Sequence, residues 1–347
     1  MLRSIEKVDF AGKKVLVRVD FNVEMNNIGE VEEHFRFDIA KKTIDHIMSF
    51  PGAKIAMLTH FGRPDGQVVP EYSTNKLVSA AARALGRKVV FVDDCVGDTV
   101  IATLANLEES AVILLENVRF YAEEERDDMI FAERLARPFD LYINDAFSVC
   151  HRAHASVSAV TKRLPSYAGF QVLEEVSHLD QVRFSPEHPA IAVIGGAKIE
   201  TKLPIIYALE KEYDCVLVGG KIANEAIDQK IEFSDKVLLP QDFANDRLDI
   251  GPNTVAYYTQ IIKTAKTIVW NGPMGKFEEK PYDIGTGAIL EAMIESQAFV
   301  VIGGGESLSV IEHAGVFDRV GFVSSGGGAM LEYMGGKKLP GLEALEA

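Results

Sequence analysis

The chain has 347 residues, 47% of them hydrophobic and 25% charged, which is enough apolar sequence for two substantial cores. Its formal net charge of -15 argues against general affinity for nucleic acid or an anionic membrane, while a local basic pocket stays open. Three widely spaced cysteines, Cys95, Cys150 and Cys215, form no disulfide framework or zinc motif and point to a reducing compartment. The opening MLRSIEKVDFAGKK lacks an apolar core of signal-peptide length, and no segment approaches the roughly 18 apolar residues of a membrane span, so a cytoplasmic protein is expected.

In chain order, the first apolar runs are KKVLVRVDF (13–21), AKIAMLTH (53–60), KVVFV (88–92), AVILLENV (111–118) and LYINDAF (141–147). PAIAVIGG (189–196), DCVLVGG (214–220), KVLLP (236–240), KTIVWNGP (266–273), AFVVIGGG (298–305) and VGFVSSGGG (320–328) follow. Most are too continuous for half-exposed strands and read as strands buried on both faces of a parallel sheet. Stretches such as 73–86, 253–264 and 284–295 have helical length and periodicity, so a βαβα pattern repeats along the chain. VLEEVSHLDQVRF (172–184) reads as a helix leading from one domain to the next, with the boundary near 160–175. No coiled-coil heptad is readable, and a monomer is the default expectation.

Strand ends in the first half carry charge. RVDFN (18–22) supplies Asp20 and Asn22, and Arg36 follows in EEHFRFDIAKK. THFGRP (59–64) supplies His60 and Arg63, LLENVRFY (114–121) supplies Arg119, and DAFSVCHRAHAS (145–156) supplies His151, Arg152 and His154. A lone arginine is ordinarily a surface or salt-bridging residue. Four at or just beyond strand ends suit a ligand with a phosphate and a carboxylate, which arginine binds bidentately. His60 and His151 fit substrate contact or a structural hydrogen bond equally well. Asp20 and Asn22 also fit capping and turn roles.

Strand ends in the second half carry glycine. AVIGGAKIETK (192–202) places a double glycine before Lys198 and Lys202, four residues apart on one side of a helix turn. Glycine lets backbone N–H groups approach phosphate. IVWNGPMGKFE (268–278) is a tight loop flanked by Asn271 and Glu278. GGGESLSV (303–310) puts Glu306 at a helix start, and SSGGGAMLE (324–332) opens another helix. Four such turns favour a nucleotide site. Neither the P-loop pattern nor a dinucleotide fingerprint is present, which disfavours a nicotinamide enzyme.

Together RVDFN, HFGRP, DAF..CHRAH, GGAK, WNGPMG and the glycine-rich C-terminal turns resemble the phosphoglycerate kinase family, in its order and over nearly the whole chain. The resemblance implies two doubly wound parallel-sheet α/β domains joined by a hinge helix, with the C-terminus returning to the first. Residues 1–170 with 335–347 would bind phosphoglycerate and 171–334 the nucleotide. It implies reversible Mg²⁺-dependent phosphoryl transfer between ATP and 3-phosphoglycerate, giving ADP and 1,3-bisphosphoglycerate, a reaction of glycolysis and gluconeogenesis. Asp20, Phe21, Asn22, Arg36, His60, Phe61, Gly62, Arg63, Arg119 and Arg152 would line the acid site. Gly196, Lys198, Lys202, Asn271, Glu278, Gly304, Gly305, Glu306 and Ser307 would line the nucleotide site, with Glu306 as the metal ligand.

Three features depart from the family pattern. Glu306 stands where the family has aspartate, segment 219–252 is short, and Lys221 and Lys276 replace small or apolar residues. The acceptor is already a carboxylate, so no general base is required. Catalysis then rests on domain closure, in-line transfer and charge stabilisation by Arg36, Lys198, Mg²⁺ and the helix N-termini at Gly305 and Gly327. The alternative from another class is a binding protein that keeps the fold with weak or altered nucleotide use.

Overall fold

A computed structural model describes residues 1–347 other than 27, 28, 30, 32 and 33. The chain divides into two compact units, residues 1–175 with 338–347, and residues 176–337.

The first unit holds strands β1 (Lys14–Arg18), β2 (Lys54–Leu58), β3 (Val89–Val92), β4 (Val112–Leu115), β5 (Leu141–Asn144) and β6 (Ser166–Ala168). They form one parallel sheet in the order β3-β4-β2-β1-β5-β6. Its helices are α1 (Phe35–Met48), α2 (Val78–Leu85), α3 (Asp98–Ala105), α4 (Ala122–Glu125) and α5 (Met129–Ala136). Successive strand residues point to opposite faces, so each strand feeds two cores. Val15, Val17, Ile55, Met57, Leu114 and Ile143 pack on one side. Leu16, Ala56, Leu58, Ile113, Leu115 and Tyr142 pack on the other. That double burial is why these segments read as unbroken apolar runs. Each large aliphatic side chain buried this way contributes about 1.5–3 kcal/mol.

Helix α6 (Phe170–Phe184) contains the division between units, after Glu175. The C-terminal residues rejoin the first unit through α13 (Pro340–Glu343). Gly341 N–H donates to the Cys150 carbonyl at 2.9 Å, and Leu2 bridges Glu346.

The second unit holds β7 (Ala190–Ile194), β8 (Cys215–Val218), β9 (Val237–Leu238), β12 (Thr267–Asn271), β13 (Phe299–Gly303) and β14 (Phe322–Ser324). Their parallel order is β14-β13-β12-β7-β8-β9. A separate antiparallel hairpin joins β10 (Phe243–Ala244) to β11 (Asp249–Ile250). The helices are α7 (Ile199–Glu212), α8 (Gly220–Asp228), α9 (Pro252–Ile262), α10 (Ile284–Glu295), α11 (Gly305–Ala314) and α12 (Gly327–Met334). The expected doubly wound fold is therefore present in both units. Every apolar run named from the sequence contains a strand, while β6 and the hairpin were not foreseen. Among the described residues, no helix is long and apolar enough to cross a membrane.

Strand order sets where ligands can sit. In the first sheet the winding reverses between β1 and β5, and in the second between β7 and β12. A crevice opens outside the carboxyl ends of strands at such a reversal.

Candidate functional site

The first reversal point gathers cations. Beyond β1, alternate residues continue the strand's two-sided pattern: Val19, Phe21 and Val23 are buried in the core, while Asn22 and Glu24 are exposed. Asp20 is the polar residue drawn inward. Its carboxylate pairs with Arg36 in the first turn of α1 and accepts from the Ser148 hydroxyl. Burial alone would raise its pKa, but Arg36, Ser148 and Arg18 outweigh that and lower it to about 2.

Arg18 ends β1 and is 1% exposed. Its Nε donates to Ser156 Oγ at 3.0 Å and its Nη2 lies 3.2 Å from His60 Nδ1. Ser156 in turn donates to the fully buried Glu124. Burial, with Arg18, Arg119 and Arg36 beside it, lowers the His60 pKa well below its ordinary value and keeps the imidazole neutral. His154 is likewise lowered to about 3 by burial and by Arg119, Arg18 and Arg152. Burial raises Glu124, against the pull of Arg18 and Ser156.

Arg119 sits in a single helical turn whose N-cap, Asn117, accepts its N–H at 3.1 Å. Burial, with neighbouring Arg18 and Arg152, lowers the Arg119 pKa to about 10, against the opposing pull of Glu125 and Glu124. A guanidinium that is buried among like charges is stabilised by any anion that enters. Arg119 Nη1 donates to the Gly62 carbonyl at 3.0 Å, and Asn22 Oδ1 accepts the Gly62 N–H at 2.8 Å. Asn117 Nδ2 holds the Phe61 and Tyr72 carbonyls at 2.6 and 2.8 Å. Gly62 has φ +65, and a Cβ there would fall 2.3 Å from the Tyr72 ring, so only glycine fits.

The pocket thus brings together Asp20, Arg36, His60, Arg119 and Arg152, with Asn22 and Gly62 on its loop. Arg152 Nε lies 3.1 Å from His151 Nε2. Arg63 is exposed one residue beyond the loop. Phe21 and Phe61 turn their rings into the core, where Phe21 stacks on Phe37 at 4.5 Å, so only their backbones remain for a ligand. Sequence reasoning passed over Arg18, Glu124 and Asn117. The signal for Arg18 was a charge closing an otherwise apolar strand.

The second reversal point gathers backbone. Gly195 and Gly272 let two turns pack main chain to main chain: a Cβ on Gly195 would meet the Pro273 carbonyl at 2.1 Å, and one on Gly272 the Gly195 carbonyl at 2.4 Å. Asn271, ending β12, donates to the Gly303 carbonyl at 2.6 Å and accepts from Lys202 Nζ. Ser307 is fully buried and its Oγ accepts the Gly272 N–H at 2.8 Å. A Cβ on Gly327 would lie 2.8 Å from Gly304 Cα, so the N-termini of α11 and α12 converge. Between them opens a cavity of about 210 Å³, lined by Lys202, Asn271, Gly305, Glu306, Gly327 and Leu331 among others. Burial lowers the Lys202 pKa to about 8, and Glu306 opposes that shift. Free N–H groups of two helix ends with a nearby ammonium make an anion site.

Gly196, with φ +100, adjoins this cavity: a Cβ on it would lie 3.4 Å from Glu306 Oε2. Lys198 is exposed at the N-cap position of α7, and Glu278 is exposed past the 272–276 turn; neither lines the cavity. Among the described residues there is no cluster of three or more metal-ligating side chains. Glu306, exposed at the first turn of α11, suits a hard cation that takes its other oxygens from phosphate and water.

Residues 5–242 and 225–337 match the family model described as phosphoglycerate kinase. The phosphoglycerate kinase of Desulfosudis oleivorans is 38% identical over 392 residues, covering 99% of this chain and 99% of its own. That of Maricaulis maris is 39% identical over 394 residues, covering 99% and 97%. Among solved structures, phosphoglycerate kinase from Pyrococcus horikoshii matches with a TM-score of 0.88 at 30% identity, over 99% of this chain and 98% of that one. The enzyme from Coxiella burnetii matches at 0.83 and 30%, over 99% of each. The 392 aligned positions exceed the 347 residues here by 45, so the Desulfosudis relative carries at least that many residues without a counterpart.

Proposed function

Because the chain belongs to the phosphoglycerate kinase family, we propose that it transfers a phosphoryl group reversibly between Mg-ATP and 3-phosphoglycerate, giving ADP and 1,3-bisphosphoglycerate. The observation that carries this reading is the pairing of two unlike anion sites, one per unit, each at a strand-order reversal. The arginine pocket suits a small acid bearing phosphate and carboxylate. The glycine-walled cavity between helix N-termini suits a polyphosphate.

In this reading Arg36, Arg119, Arg152 and His60 hold the acid, with Asn22, Gly62 and Arg63 at the rim and Asp20 fixing Arg36. Lys202, Asn271, Gly304–Ser307 and Gly327 hold the nucleotide phosphates, while Gly196 and Glu278 contribute from the adjoining turns. Glu306 would hold Mg²⁺, which would supply positive charge against the nucleotide phosphates. The attacking carboxylate needs no base, and no covalent intermediate is required. The chain's task is to orient two ligands, exclude water and stabilise charge on the passing phosphoryl group. We assign that stabilisation to Arg36, to Lys198 reaching from the α7 N-cap, and to the N–H groups opening α11 and α12. Direct transfer requires closure to bring the ligands into line. The reaction's place is glycolysis or gluconeogenesis.

The test is turnover of 3-phosphoglycerate with Mg-ATP, and separately with Mg-GTP, coupled to reduction of the acyl phosphate. Turnover with ATP supports the kinase. Folded protein that binds 3-phosphoglycerate yet turns over neither nucleotide would overturn it in favour of a binding protein.

A further inference from the structure

The β10–β11 hairpin turns on Asn245, Asp246 and Arg247, all left-handed, with φ 52, 55 and 69. Asparagine and aspartate tolerate that region, whereas arginine adopts it only where its surroundings impose it. Here they do. Arg247 Nε donates to Asn224 Oδ1 and its Nη2 to the Asn224 carbonyl, both at 3.1 Å. Nη1 donates to Asp228 at 2.9 Å, and the guanidinium lies 5.3 Å over the Phe243 ring. Asn224 Nδ2 returns a bond to the Arg247 carbonyl at 2.9 Å. Asn224 and Asp228 belong to α8, so one side chain ties the hairpin to that helix.

The helix and the hairpin also grip a common third element. Gly220 N–H, at the start of α8, donates to the Met274 carbonyl at 2.8 Å. Lys276 N–H donates to the Leu248 carbonyl in the hairpin at 2.9 Å. Asp249 accepts the Gly285 N–H at 2.8 Å, and a Cβ on Gly275 would lie 2.4 Å from its carboxylate. The 272–278 loop is therefore suspended between α8 and the hairpin, and Arg247 closes the ring. That loop leaves Asn271 at the phosphate cavity and carries Glu278.

We propose that Arg247 is a positioning residue for the nucleotide: by locking the hairpin to α8 it fixes the 272–278 loop beside the phosphate cavity. The proposal rests on the kinase reading above. The loop serves bound nucleotide before and during transfer alike, so losing the clamp removes uniform binding and leaves saturated turnover intact.

Two variants break the clamp from opposite sides. Arg247→Gly retains a residue at ease at positive φ and removes only the side chain. Asn224→Ala removes both of its side-chain bonds to Arg247. The dissociation constant of Mg-ADP is measured by calorimetry, then KM for each substrate and kcat. Each variant is expected to weaken Mg-ADP roughly tenfold and to raise the nucleotide KM alike, with kcat and the 3-phosphoglycerate KM within about twofold of wild type. Exchange protection of the Lys276 amide should fall with it. Wild-type Mg-ADP affinity in both variants, or an equal loss of affinity for the acid, would overturn the proposal while leaving the kinase reading standing. A wild-type protein that binds no Mg-ADP would remove that reading and the proposal with it.

Discussion

Asp145 follows β5 and links three elements. Its Oδ1 accepts from the Thr43 hydroxyl of α1 and from the Gln171 N–H at the start of α6, both at 2.9 Å. Its Oδ2 is buried and has no hydrogen-bond partner among the described residues. Burial pushes the carboxyl up to about 8, with Thr43 and Gln171 offsetting part of the shift. A folded value raised above the unfolded one contributes stability that is complete below the unfolded value and lost as pH rises through the folded one. Between pH 4 and 8 the unfolded chain has released a proton that the folded chain keeps, so stability falls by about 1.4 kcal/mol per pH unit. Asp145→Asn keeps an acceptor for Thr43 and Gln171, resembles the protonated acid and does not titrate. From pH 5 to pH 8 the stability difference should shift in the variant's favour by about 4 kcal/mol. Urea unfolding followed by far-ultraviolet circular dichroism at several pH values reads the effect. The only tryptophan, Trp270, lies in the second unit, so its fluorescence transition serves as the control. Parallel stability curves for variant and wild type across this range would refute the reasoning.

Arg36→Ala should lower kcat by roughly 10²–10³-fold with the Mg-ADP dissociation constant unchanged, as for loss of one charge-stabilising donor. Normal turnover would remove Arg36 from the chemistry. Lys202, held at about 8, loses its charge as pH rises through that value, whereas bound phosphate favours the charged form. Mg-ADP affinity should therefore decline above pH 8, approaching roughly tenfold per unit, and Lys202→Arg should flatten the profile. A flat wild-type profile would contradict phosphate contact by Lys202. Two glycine substitutions should act oppositely. Gly62→Ala puts a Cβ 2.3 Å from the Tyr72 ring at φ +65, so it should lower the melting temperature and raise the 3-phosphoglycerate KM. Gly287→Ala, inside α10 with nothing within 4 Å, should stabilise by about 0.5–1 kcal/mol. Equal melting temperatures for the two variants would break the contrast.

Strands buried on both faces leave continuous apolar runs, so the two sheets were legible from residues alone. The β10–β11 hairpin was not, because its two-residue strands lie in no apolar run and it is held largely by polar contacts through Arg247, Leu248 and Asp249. Motif strings pointed to the region where Asp20, Arg36, His60 and Arg119 gather but blurred which residues face one another there. In RVDFN the two-residue period that sends Val19 and Phe21 inward was already visible, and it argues for Asp20 and Asn22 over Phe21. Arg18 breaks that logic. A guanidinium at a core position is tolerable only because Ser156, Glu124 and His60 converge on it from segments more than 40 residues away. Nothing local announces such partners. In the second unit, the glycines were readable as close-approach points, but which turns meet is a property of strand order. Gly195 faces Gly272 because β7 lies beside β12.

On the proposed reading the two sites would bind anions by different means, and the difference matches what transfer would demand of each. In the first unit the charge sits on side chains, and part of it is paired at rest: Asp20 holds Arg36, and Glu124 is linked through Ser156 to Arg18. An arriving acid therefore competes with carboxylates already in place. That competition favours a ligand with two separated negative groups, such as a phosphate and a carboxylate, over a single small anion. In the second unit the donors are main-chain N–H groups at the ends of α11 and α12, which carry no countercharge of their own and need no rearrangement. Fixed dipoles suit a group whose charge changes during the reaction, because they are already oriented when that charge develops. Pre-paired arginines suit the end of the acid that stays bound throughout. On the proposed reading, the transferring phosphoryl group moves away from the dipoles and toward Arg36, whose partner Asp20 is also held by Ser148. Ser148 keeps Asp20 hydrogen-bonded when Arg36 turns to the substrate, so the carboxylate is not left without a donor.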